Sequence, residues 1–99
     1  MKDNAMLSLP HRVTFENASA CSQALAKALL EQEGIKDAAH VVVDASAVQE
    51  FDSSALAVLL QCRRDAAQSG KTFEVMRIPP QLQELSKLYG VDELLLSAA

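Results

Sequence analysis

His40 to Leu60 reads HVVVDASAVQEFDSSALAVLL, and it holds a strand, a turn and the start of a helix in that order. His40-Val41-Val42-Val43-Asp44 is a β-branched run, apolar on both faces, which predicts a central strand covered on both sides. Asp52-Ser53-Ser54 then offers side-chain oxygens to the orphan N–H groups of a helix's first turn, and either Asp52 or Ser53 can cap it. The Asp52 carboxylate also suits the positive end of the helix. From Ala55 to about Gln68 the residues form helices readily, and Ser69-Gly70-Lys71 closes the segment.

Working outward, Thr72-Phe73-Glu74-Val75-Met76-Arg77-Ile78 alternates as a strand does, with Phe73, Val75 and Arg77 on one face. Pro79-Pro80 opens a third helix, where proline fits the first turn. Leu82, Leu85, Leu88 and Tyr89 form its stripe, Gly90 ends it, and Val91 to Leu96 adds one short apolar turn. Upstream, Leu7-Ser8-Leu9 and Val13-Thr14-Phe15 alternate around Pro10-His11-Arg12, the pattern of a hairpin. Asn17 reads as an N-cap for a helix from Ala18 to Glu33, with a stripe of Cys21, Leu25, Ala28, Leu29 and Gln32 and a stop at Gly34. Residues 1–6 read as a flexible lead-in and residues 7–99 as a single domain. The order is β-β-α-β-α-β-α, an α/β domain with a mixed four-stranded sheet flanked by helices.

Composition narrows the function. The 99 residues are 49% hydrophobic with a net charge of −4, enough apolar content for one core and too acidic for a nucleic-acid surface. The densest basic pair is Arg63-Arg64, and no aromatic residues interleave with basic ones. No apolar run approaches the roughly 18–20 residues that span a bilayer, so direct membrane insertion is not expected. Met1 to Met6 carries no signal core, and Cys21 and Cys62 read as reduced thiols, which together point to the cytosol. His11 and His40 stand far apart and no Cys-x-x-Cys occurs, so neither a metal nor another cofactor is expected.

The helix after the serines carries the candidate site. Turned at ~100° per residue, it puts Leu56, Leu59, Leu60, Arg63, Ala66 and Ala67 on a core-facing side. Ser54, Ala57, Val58, Gln61, Cys62 and Asp65 fall on the other, a small and partly apolar face suited to docking another protein. A phosphate on Ser53 or Ser54 would sit on free N–H groups at the helix start while spoiling that face, so either serine could act as a switch. Catalysis is not expected. The serines lie outside any Gly-x-Ser-x-Gly elbow, Gly34, Gly70 and Gly90 form no phosphate loop, and Asp44 ends a strand rather than pairing with Asp52.

Val41-Val42-Val43-Asp44, the turn Asp52-Ser53-Ser54 and the helix start Ala55-Leu56 resemble the STAS domain family. That family includes anti-sigma-factor antagonists and cytoplasmic domains of anion transporters, and the resemblance implies its mixed-sheet fold. The family motif has glycine where this chain has Ala55. The segment Leu82-x-x-Leu85-x-x-Leu88-Tyr89-Gly90-Val91-Asp92-Glu93-Leu94-Leu95, and Leu56-Ala57-Val58-Leu59-Leu60 followed by Arg63-Arg64, are similar to the MlaB subfamily. Those are the small STAS subunits of Mla phospholipid ABC transporters, which maintain lipid asymmetry of the outer membrane. The resemblance implies a non-enzymatic regulatory or assembly subunit that binds the cytoplasmic ATPase (MlaF-like), with the permease met indirectly. It implies a place in the cytoplasm, held at the inner membrane through the transporter. Ser53 matches the key threonine of that interface, and Asp52, Ser53, Ser54, Ala57, Val58, Gln61 and Cys62 are the expected partner-binding residues. The alternative it implies is an anti-sigma-factor antagonist switched by a partner kinase at Ser54, with Ser53 as a second candidate.

Overall fold

Val41 and Val43 are fully buried, and the strand that carries them is the centre of the molecule. In the computed structural model, which describes residues 4–95, the elements run β1 (Asn4–Ser8), β2 (Arg12–Val13), α1 (Ala18–Glu31), β3 (His40–Asp44), β4 (Glu50–Phe51), α2 (Ser54–Gln68), β5 (Thr72–Met76), α3 (Pro80–Leu88) and α4 (Asp92–Leu95). β3 lies between β1 and β5 and is parallel to both, with His40 level with Asn4 on one side and Thr72 on the other.

The expected hairpin does not form. β1 pairs with β3, and β2 pairs in parallel with β4, so the sheet is not a mixed sheet of four strands but parallel sheets of three and two. The alternation at Leu7 and Leu9 is that of a strand, and both side chains are buried. The Leu9 N–H continues the ladder onto the Asp44 carbonyl at 3.1 Å. Past Pro10 the chain pairs with the segment that follows β3, which reaches β4 through a turn closed by the Val48 N–H on the Ala45 carbonyl at 3.1 Å. Residues 4–13 and 40–51 are thus paired at both ends, β1 with β3 and β2 with β4. The lead-in expected over residues 1–6 is strand from Asn4 onward, with Ala5 buried; residues 1–3 lie outside the described region.

β3 is central but covered on one face only. Ala5, Leu7, Val41, Val43 and Val75 are buried on that face. On the other, Asn4, Met6, Ser8 and Thr72 are exposed, and His40, Val42, Asp44, Glu74 and Met76 are half-buried. Two right-handed crossovers that step in the same direction, β1 to β3 and β3 to β5, place α1 and α2 on the same side. The two helices pack against each other there. His40 and Asp44 meet the open face's needs by pairing with Glu74 and Arg77.

The helix boundaries are set by local chemistry. Gly70 and Gly90 adopt positive φ (77° and 73°), which lets the chain leave α2 and α3 in the left-handed conformation. Beyond Gly70, the buried Lys71 sends its ammonium to the Lys36 and Ala38 carbonyls, at 2.7 and 2.8 Å. That ties the end of α2 to the loop after α1. The stripe expected on α3 is narrower than its spacing implies. Leu82 and Ser86 are buried and Leu85 is half-buried, but Leu88 and Tyr89 stand out at 79% and 58% exposure. α4 closes the core with the fully buried Leu95; Leu96 lies outside the described residues.

Candidate functional site: the start of the second long helix

β2 and β4 bring the site together. Their pairing sets Val13 level with Phe51, so the residues just after each strand, Thr14-Phe15 and Asp52-Ser53, emerge side by side. Asp52 joins the two segments. Its Oδ1 accepts from the Ser54 N–H at 2.8 Å, and its Oδ2 accepts from the Phe15 N–H at 3.0 Å. The carboxylate, rather than a serine hydroxyl, is the cap; Ser53 makes no side-chain capping bond. Asn17 takes the N-cap position of α1, as expected, but its side chain makes no capping bond. Its Oδ1 accepts from the Thr14 N–H at 2.9 Å and its Nδ2 donates to the Arg12 carbonyl at 2.8 Å, which folds the β2–α1 turn tightly.

Those bonds have electrostatic consequences. The Phe15 N–H, followed by the bonds from Ser54, holds the Asp52 carboxyl below the ordinary carboxylate range. Asp44 lies lower still, because the Arg77 guanidinium donates to it at 2.9 Å and the Ser46 N–H at 2.9 Å. A carboxylate depressed in the folded state contributes stability above its unfolded pKa of ~3.9, and that stability is lost as pH falls through the folded value. The domain is therefore expected to lose melting temperature as pH drops below ~4. An Asp44→Asn/Asp52→Asn variant should start lower and show a flatter acid limb, which circular dichroism melts across the acid range will reveal.

Of the seven expected partner-binding residues, two are not on the surface. Val58 and Cys62 are each 1% exposed. The flank of α2 that carries them packs against α1, and Cys62 lies near enough to Cys21 to be affected by its charge. Ser53 and Ala57 are exposed, and Asp52, Ser54 and Gln61 are half-buried. The accessible stripe runs from Ser53 through Ala57 to Gln61 and Arg64. The Gln61 amide joins the last of these to Asp65, accepting from Arg64 at 3.2 Å and donating at 3.0 Å.

Burial also settles the thiol. The Cys62 pKa is pushed up to about 12, first by desolvation and then by Asp65 and Cys21. Cys21, half-buried, is also raised by burial. Iodoacetamide at mildly alkaline pH should modify Cys62 only after denaturation, and mass spectrometry of the native and unfolded protein tests this. Rapid native labelling of Cys62 would contradict its packing.

The phosphate argument changes as well. The N–H groups expected to receive a phosphate are engaged: Ser54 with Asp52 Oδ1, Ala55 with the Asp52 carbonyl at 3.0 Å, and Leu56 with the Ser53 carbonyl at 3.1 Å. A phosphate on either serine would meet the Asp52 carboxylate that already holds the Ser54 N–H.

Phe15 is the residue that sequence reading missed. Placed in a strand by alternation, it lies in the turn between β2 and α1 and is 74% exposed beside Asp52. Its signal was a large aromatic residue two positions before the start of a polar helix cap, outside every stripe. Arg12 was missed too. It donates to Glu50 at 3.2 Å and to Glu16, and both carboxylates raise its pKa, Glu16 more strongly.

Among the described residues, no three His, Cys, Asp or Glu side chains converge to hold a metal ion, and no helix is long and apolar enough to cross a membrane. No hydrogen bond joins Ser53 or Ser54 to a histidine within the described region. The site is thus a rigid, mostly small-residue surface built from two segments that are 37 positions apart in sequence. No curated protein matches the chain. The protein family described as "Mlab, STAS domain" matches residues 1–97, and the chain belongs to that family of STAS domains.

Proposed function

We propose that this chain is a non-enzymatic subunit of an Mla-type phospholipid ABC transporter, which docks on the cytoplasmic ATPase through the start of α2. The observation that carries the reading is the exposed stripe of Ser53 and Ala57, set on a helix start that Asp52 fixes in place. Small side chains on a rigid support allow close approach by another protein at little cost in lost freedom. The family membership supports the same role, since its name joins the STAS fold to the Mla system.

On this reading the domain acts by preference. If it binds the assembled or nucleotide-competent ATPase more tightly than other conformations, it shifts the population toward them. It would reside in the cytoplasm, held at the inner membrane through the ATPase and permease. The test is co-purification of the tagged chain with the ATPase subunit of the same organism's Mla-type transporter, and ATPase activity with and without it. Stable association with altered activity is the expected result. Absence of association would end the reading and favour the anti-sigma-antagonist alternative, in which Ser53 or Ser54 is phosphorylated. That alternative is the less supported one, because the Ser54, Ala55 and Leu56 N–H groups at the helix start are already engaged and the Asp52 carboxylate lies among them.

A further inference from the structure

We infer that Phe15 anchors the docking surface, and that the partner surface it meets is an apolar pocket flanked by basic side chains. The inference rests on the docking role proposed above and names the chemistry of the partner's side.

The first ground is the support under the ring. Phe51 and Phe73 pack against the core, whereas Phe15 is 74% exposed. Its backbone is nonetheless fixed. The Phe15 N–H is held by Asp52 at 3.0 Å, the Glu16 N–H donates to Thr14 Oγ1 at 3.3 Å, and the Asn17 N–H donates to the Thr14 carbonyl at 3.1 Å. Thr14 itself is buried. One carboxylate therefore holds both the Phe15 turn and the start of α2, and the Phe15 backbone is tied to that helix start. An aromatic side chain displayed on a rigid base loses little freedom on binding, which is how dominant interface residues commonly work.

The second ground is charge. Glu16, Glu50 and Asp52 surround the Phe15 turn, and Arg12 is the cation that bonds to both glutamates. Three carboxylates against one guanidinium leave two negative charges in excess. The two glutamate side chains are 54% and 62% exposed, so their charge reaches outward. At the other end of the stripe, Arg64 is exposed and is linked through Gln61 to Asp65, so the charges there offset. The surface is acidic at the anchor and carries no comparable excess charge farther along the stripe, which selects a basic partner surface at Phe15.

The experiment measures binding of the purified Mla-type ATPase subunit to wild type, Phe15→Ser, Glu16→Gln/Glu50→Gln and Ser53→Arg, each at low and high salt. Circular dichroism melts accompany each variant, and Phe15→Ser should melt as wild type does. The expected result is an affinity loss of about tenfold or more for Phe15→Ser. For the glutamine pair, weaker binding at low salt and a reduced salt dependence are expected. Phe15→Ser binding as wild type does while Ser53→Arg is defective would overturn the inference and leave the docking role standing. Unchanged or tighter binding by the glutamine pair would overturn the basic-partner half. No binding by wild type, or full binding by every variant, would remove the docking site and the inference together.

Discussion

Val58→Asp is expected to destabilise the whole domain severely, not merely to spoil its docking surface. Val58 is 1% exposed and belongs to the core cluster where α2 meets α1. An aspartate there would be a buried charge with no cation among its core neighbours, a change that typically costs at least ~3 kcal/mol. A domain of this size has roughly 5–15 kcal/mol in total, so the variant should lose a large fraction of its stability and melt far below the wild type. Val58→Ala removes two methyl groups and should cost about 2 kcal/mol, leaving a folded but less stable protein. Thermal melts by circular dichroism separate the two. A Val58→Asp protein that melts with the wild type would show that this flank of α2 is not packed. The outcome also governs how binding data are read. Loss of a partner in Val58→Asp would report unfolding, whereas the sequence-based assignment of Val58 to the interface would have read it as a lost contact.

That misassignment has a physical cause. Apolar residues nearly surround the first half of α2, with Leu56, Leu59 and Leu60 on one flank and Val58 and Cys62 on another. Periodicity finds a stripe when one side is polar, and here it had to choose between two apolar sides. The helix is in fact covered on several sides, by β5, α1 and α4, and its buried set is Ala55, Leu56, Val58, Leu59, Cys62 and Ala66. How helices share a sheet face is a tertiary fact. It follows from two crossovers of the same hand and direction, which element order alone does not give. The hairpin failed for a related reason. The alternation at Leu7-Ser8-Leu9 located a strand correctly, but pairing partners 36 residues apart leave no mark within either segment. Asp52-Ser53-Ser54, by contrast, was legible because capping chemistry is local. Even there the sequence left open whether Asp52 or Ser53 was the cap, and could not show that Asp52 also holds Phe15.

Ser53→Arg should remove partner binding while leaving the fold intact. Ser53 is exposed at the N-cap of α2, and its hydroxyl makes no capping bond; Asp52 performs that task from the preceding position. Replacing the side chain therefore breaks no hydrogen bond that the helix start depends on, and the melting temperature should stay close to wild type. At a compact interface the effect is different. A guanidinium on a long stem would hold the partner away from Ala57, for a loss of at least ~2 kcal/mol, or about thirtyfold in Kd. Ser53→Ala makes the complementary test: it keeps the surface small and should bind nearly as wild type does. If the hydroxyl itself is what the partner reads, Ser53→Ala will instead weaken binding as Ser53→Arg does. Ala57→Arg, one turn along the same exposed stripe, should reproduce the Ser53→Arg defect, because both arginines would obstruct one approach path. Wild-type affinity in both arginine variants, with the ATPase still bound, would place the contact elsewhere on the domain and leave this stripe as ordinary solvated helix.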